Sequence, residues 1–64
     1  MDTVTDRAFD VLEARRLLGD LSNGKIYELI ASGELRSFRV GRRRLVSQRA
    51  IAEFIRAREA EAAA

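Results

Sequence analysis

The 64-residue sequence predicts one mainly α domain with a small β-hairpin. Three observations predict it. Two short segments with apolar residues at three-and-four spacing stand on either side of Gly19-Asp20-Leu21, the period shortens to two around Gly41-Arg42, and it returns to the helical value after Gln48. A chain of this length makes one domain at most and buries only about 60% of the surface its unfolded form exposes. Its stability is therefore marginal without a partner.

Residues 1–8 show no periodicity and read as a flexible N-terminal arm. Asp10 then precedes Val11-Leu12-Glu13-Ala14-Arg15-Arg16-Leu17-Leu18, and Glu13 stands at the capping-box distance from it, with Asp in the cap role. Val11, Ala14, Leu17 and Leu18 form the buried side of this helix of about two turns, and Gly19 stops it by taking the left-handed conformation. Ser22 caps a second helix that ends at Gly33 and buries Ile26, Leu29 and Ile30. Two short helices joined by about three residues make a helix-turn-helix unit.

From Leu35, Phe38 and Val40 alternate with Arg39, Gly41-Arg42 supplies a turn, and Arg44, Leu45 and Val46 resume an extended run, which is a hairpin pattern. Ser47 caps a third helix from Gln48, with Ile51, Phe54 and Ile55 as its apolar side and Arg49 and Glu53 as an i,i+4 pair. Phe9, Phe38 and Phe54 are read as core aromatics. The alanine-rich end, residues 59–64, has helix propensity but no large apolar side chain, so it should fray. Helix, turn, helix, hairpin and closing helix together make a winged helix-turn-helix over residues 9–58.

Charge points to the kind of partner. Between Glu34 and Glu53 stand six arginines, Arg36, Arg39, Arg42, Arg43, Arg44 and Arg49, with no acidic residue among them, although the whole chain has 12 basic and 10 acidic residues. The information lies in the placement and not in the net charge of +2. An arginine cluster on a tight turn reads as a loop pressed against a polyanion. The absence of Cys and His removes disulfides, the usual zinc ligand sets and Cys-His or Ser-His catalysis, so no metal, cofactor or enzymatic activity is expected. The polar, acidic N-terminus lacks the pattern of a signal peptide, and no apolar stretch approaches the roughly 20 residues of a membrane span, so a soluble intracellular protein is expected.

At about 100° per residue, the outward face of the second helix is centred on Gly24, Glu28 and Ala31 and flanked by Asn23, Lys25 and Tyr27. A groove-reading surface would lie there. Asn23 and Lys25 suit base or phosphate contact, or are plain solvated surface. Tyr27 either packs at the core edge with its hydroxyl outward or contacts nucleic acid. Glu28 cannot bind phosphate; it accepts a hydrogen bond from cytosine N4 or orients a neighbouring base. Gly24 weakens a helix by roughly 0.5 to 1 kcal/mol relative to alanine, yet near the first turn it lets the backbone approach a phosphate. Arg15, Arg16 and Arg36 are further candidates for phosphate contact, with the end of the first helix as the structural alternative for Arg15 and Arg16.

The blocks Leu17-Leu18-Gly19, Leu21-Ser22, Ile26-Tyr27, Leu29-Ile30, Ser32-Gly33-Glu34-Leu35, Arg39-Val40-Gly41-Arg42-Arg43 and Ile51-Ala52-Glu53-Phe54-Ile55 resemble the pattern of the excisionase family of DNA-binding proteins. These are small phage and mobile-element proteins with a winged-helix fold similar to that of MerR regulators. The resemblance runs from about Phe9 to Ile55, and the ordered series is more specific than any single block. It implies a recombination directionality factor, acting in the bacterial cytoplasm on double-stranded DNA. Such a protein binds repeated sites in attachment DNA, bends it, contacts the phage integrase, and favours excision over integration without strand chemistry of its own. On this resemblance Ser22, Asn23, Gly24, Lys25, Tyr27 and Glu28 belong to a recognition helix for the major groove. Arg39, Gly41, Arg42, Arg43 and Arg44 form the wing, against backbone or a minor groove. One such module covers only a small surface, so cooperative self-association on the repeats is expected.

The nearest alternative is a small transcription regulator of the MerR-like winged-helix type, since fold does not decide function. Such regulators generally carry an effector domain or long dimerising helix, and an end at Ala64 favours the accessory factor. A third reading is an antitoxin-like or scaffold protein that binds a protein partner through its apolar helix faces.

Overall fold

In the computed structural model, residues 7–63 are described. They form β1 (Ala8–Asp10), α1 (Val11–Leu17), α2 (Asn23–Ser32), β2 (Phe38–Val40), β3 (Arg43–Ser47) and α3 (Gln48–Ala63). This is the expected winged helix-turn-helix, mostly helical with a small antiparallel sheet. Most of the expected arm, residues 1–6, lies outside the described residues, as does residue 64 at the expected frayed end.

The sheet has one strand more than the sequence pattern announced. β3 is central, with β1 on one side and β2 on the other, both antiparallel to it. Ala8, read as the last residue of the arm, pairs with Ser47, while Phe9 faces Val46 and Asp10 faces Leu45. A three-residue strand holding one large apolar side chain shows no alternation in sequence; only its pairing reveals it.

Capping follows the sequence closely. The Asp10 carboxylate accepts the Glu13 N–H at 2.8 Å, Ser22 Oγ that of Lys25 at 3.1 Å, and Ser47 Oγ that of Ala50 at 3.0 Å. Each side chain satisfies one of the N–H groups that a helix start leaves without an intrahelical partner. Gly33 ends α2 in the left-handed conformation with φ +86°. In the hairpin turn the positive φ falls on Gly41, the first central residue, as in a type II′ connection.

Buried Ala14, Ile26, Leu29, Leu35, Val46, Ala50 and Ile51 form one core, to which α1, α2, β3 and α3 all contribute. Phe9 and Phe54 are half-buried against it. Phe38 is not a core residue. It stands opposite Leu45, and since Val46 points into the core, the period-two alternation turns Leu45 and Phe38 to the outer face of the sheet, leaving Phe38 exposed. Leu17 and Ile55 are also exposed, because the core is thin enough to cover only one residue of each adjacent apolar pair. Glu53, expected from the sequence as the i,i+4 partner of Arg49, bonds Arg36, reaching across from α3 to the segment before β2.

Candidate nucleic-acid interface

The turn between the first two helices is built around Arg15. Its carbonyl oxygen accepts the N–H groups of Leu18, Asp20 and Leu21 at 3.3, 3.0 and 3.3 Å, and its guanidinium Nη1 donates to the Leu21 carbonyl at 2.6 Å. Gly19 and Asp20 take positive φ to make the bend. The half-buried Arg15 side chain thus helps fix the angle at which α2 leaves α1, a turn-closing task set by its bond to Leu21. Arg16, its neighbour, is exposed.

On α2, burial of Ile26 and Leu29 turns Asn23, Gly24, Lys25, Tyr27, Glu28 and Ala31 outward. Tyr27 is 52% exposed, which removes the core-packing alternative for its ring. Lys25 Nζ lies 3.4 Å from Glu28 Oε1, the two side chains standing one turn apart on the helix surface. Ser22 takes the N–H groups of Lys25 and Ile26 with its hydroxyl and carbonyl, so the first two helical N–H groups, on Asn23 and Gly24, project from the helix end without an intrahelical partner. Gly24 has no reason of its own to be glycine: its φ is not positive, and a Cβ there would meet nothing within 4 Å.

The wing carries its charges in three states. Arg36 is bonded to Glu53, and Arg43 Nη2 lies 3.7 Å from Asp10, which stands diagonally across on the same outer face of the sheet. Arg44 donates to Ser37 Oγ at 2.8 Å. Among the described residues, Arg39 and Arg42 have no carboxylate partner. Arg39 stands directly opposite Arg44 in the ladder, a like-charged pairing that destabilises a two-stranded ribbon unless an anion compensates it. The run without acids in the sequence is thus part-neutralised in the fold, and its uncompensated charge collects at Arg39 and Arg42. Arg49 lines a cleft with Arg36, Ser37, Phe38, Ser47 and Ala50, which places it beside the wing, though a reading of the hairpin alone omits it from the candidates.

The model of the helix-turn-helix domain family matches residues 9–59. The chain belongs to this family. Its members are DNA-binding domains, excisionase-like proteins among them. No curated protein and no solved structure matches the chain. Membership in the helix-turn-helix domain family supports sequence-specific binding to double-stranded DNA. The matched span includes β1 from Phe9, the turn built on Arg15, the outward face of α2 and the whole wing. Among the described residues no helix is long and apolar enough to cross a membrane.

Proposed function

We propose that the protein is an accessory DNA-binding factor of the excisionase type. It binds repeated sites in attachment DNA cooperatively, bends the DNA and directs a phage integrase toward excision, acting in the bacterial cytoplasm without catalysis of its own. The observation that carries the DNA side of this reading is the combination of two features. Outward polar groups are gathered on α2, and uncompensated arginine charge sits at the wing, where Arg39 faces Arg44. In this reading α2 enters the major groove with Asn23, Lys25, Tyr27 and Glu28 toward base edges, while Gly24 lets the helix start meet a phosphate. Arg39, Arg42, Arg43 and Arg44 hold the flanking backbone around the Gly41 turn, with Arg16 and Arg36 as outer phosphate contacts and Arg15 supporting the helix from beneath.

The excision role rests on the ordered blocks of sequence that resemble excisionases and on a family that includes excisionase-like members. The size of the surface adds to it. A single module of this kind buries about 600 to 1,000 Å² on DNA and reads few base pairs, so discrimination requires several copies on adjacent sites. The test is an in vitro recombination assay with the cognate integrase and both pairs of attachment sites. Stimulated excision with inhibited integration supports the proposal; unchanged recombination in both directions, with specific binding upstream of a gene, replaces it with transcriptional regulation.

A further inference from the structure

We infer that Lys25 and Glu28 act as one unit that reads a single G·C base pair in the major groove. This rests on α2 being the groove-reading helix. The ammonium and the carboxylate oxygen lie 3.4 Å apart, on side chains that are 54% and 70% exposed. Among the described residues neither head group has another hydrogen-bond or ion-pair partner, so the exposed pair stands as a donor beside an acceptor. A base pair presents the complementary doublet. In G·C, guanine O6 accepts and cytosine N4 donates, and because these atoms are hydrogen-bonded to each other they stand about 2.9 Å apart. Lys25 Nζ over O6 and Glu28 Oε1 over N4 close a ring of four hydrogen-bonding groups with little change in the spacing of the side-chain heads.

An A·T pair also offers a donor beside an acceptor, through adenine N6 and thymine O4, but its flanking groups oppose this pair. Adenine N7 is an acceptor next to N6 and repels the carboxylate, and the thymine methyl next to O4 crowds the ammonium. In G·C the flanks agree: guanine N7 is a second acceptor for the ammonium, and cytosine has no methyl group. Order along α2 then fixes orientation, since Lys25 precedes Glu28 and must face the guanine. A carboxylate on this face also repels phosphate, so Glu28 excludes registers that bring its turn of the helix against the backbone. A solvated surface pair contributes little to stability, so the contact between the two side chains does not hold them back from adding base edges to it.

The test is selection of bound duplexes from a randomised pool by the wild-type chain, Glu28→Gln and Lys25→Met, with folding of each checked by circular dichroism. The wild type should recover a required G·C at one position, and both variants should alter the profile at that position and at no other. The glutamine variant should shift it toward A·T, because an amide pairs with adenine N6 and N7. In competition titrations, replacing that G·C should weaken wild-type binding roughly five- to 150-fold and leave Lys25→Met within about twofold. If the two variants alter different positions, or if neither alters a profile that the wild type clearly shows, the joint reading is overturned while DNA recognition stands. If the wild type recovers no sequence preference, recognition through α2 fails with it.

Discussion

Replacing Gly24 by alanine separates what benefits the fold from what benefits binding. The position is in the first turn of α2, its φ is not positive, and an added Cβ meets no atom within 4 Å. The substitution should therefore give the ordinary gain of alanine over glycine in a helix, roughly 0.5 to 1 kcal/mol. In a domain of this size, where 1 kcal/mol moves the midpoint by about 4–8 °C, the melting temperature should rise by about 2–8 °C. Binding should move the other way. If a DNA phosphate approaches the projecting N–H groups of Asn23 and Gly24, a methyl group there displaces it and removes a charge-assisted hydrogen bond of about 1.5–3 kcal/mol, or roughly ten- to 150-fold in affinity. Calorimetry and fluorescence anisotropy on a labelled duplex measure the two effects on one sample. A variant that melts higher and binds as tightly as the wild type would refute the close approach.

Arg15→Met should destabilise the domain by about 1.5–3 kcal/mol in urea unfolding, because it strips a charged donor from the Leu21 carbonyl, whereas Arg16→Ala should leave stability within about 0.5 kcal/mol. Arg42→Ala should weaken binding to all duplexes alike and lower the slope of log affinity against log salt by about 0.9, read from titrations at several salt concentrations. Arg39→Thr should stabilise the free protein by about 0.2–1 kcal/mol, since it relieves the like-charged cross-strand pairing with Arg44, and should lower DNA affinity in the same titrations. Ile26→Ala should remove about 2–5 kcal/mol by emptying a fully buried site. A domain of this size has a total stability of only a few kcal/mol, so circular dichroism should show it largely unfolded at 37 °C.

Local chemistry carried most of the fold in the sequence. Asp10, Ser22, Ser47 and Gly33 mark helix ends because each acts on backbone groups within three residues, and a periodicity of that reach is visible in one dimension. What remained hidden depends on distant partners. β1 exists only through pairing with β3, far along the chain, and the outward turn of Phe38 follows from the register with Leu45. The same is true of the interface. The outward face of α2 was legible from its period, but the counter-charges on Arg36 and Arg43 come from Glu53 and Asp10, neither of which lies inside the arginine run. Arg15 was legible only as a cation near a helix end; its bond to Leu21 requires the bend at Gly19 and Asp20 to bring that carbonyl within reach.

Asp10 divides its carboxylate between two neighbours, one oxygen holding the start of α1 through Glu13 and the other standing 3.7 Å from Arg43. A phosphate that draws Arg43 away leaves the first oxygen where it was. In the proposed binding mode the Arg43 side chain can therefore turn from Asp10 to the duplex while the sheet stays paired and α1 keeps its opening turn. Asparagine at the same position would preserve the cap and abolish the attraction, so the two duties of this one side chain can be uncoupled by exchanging an oxygen for a nitrogen.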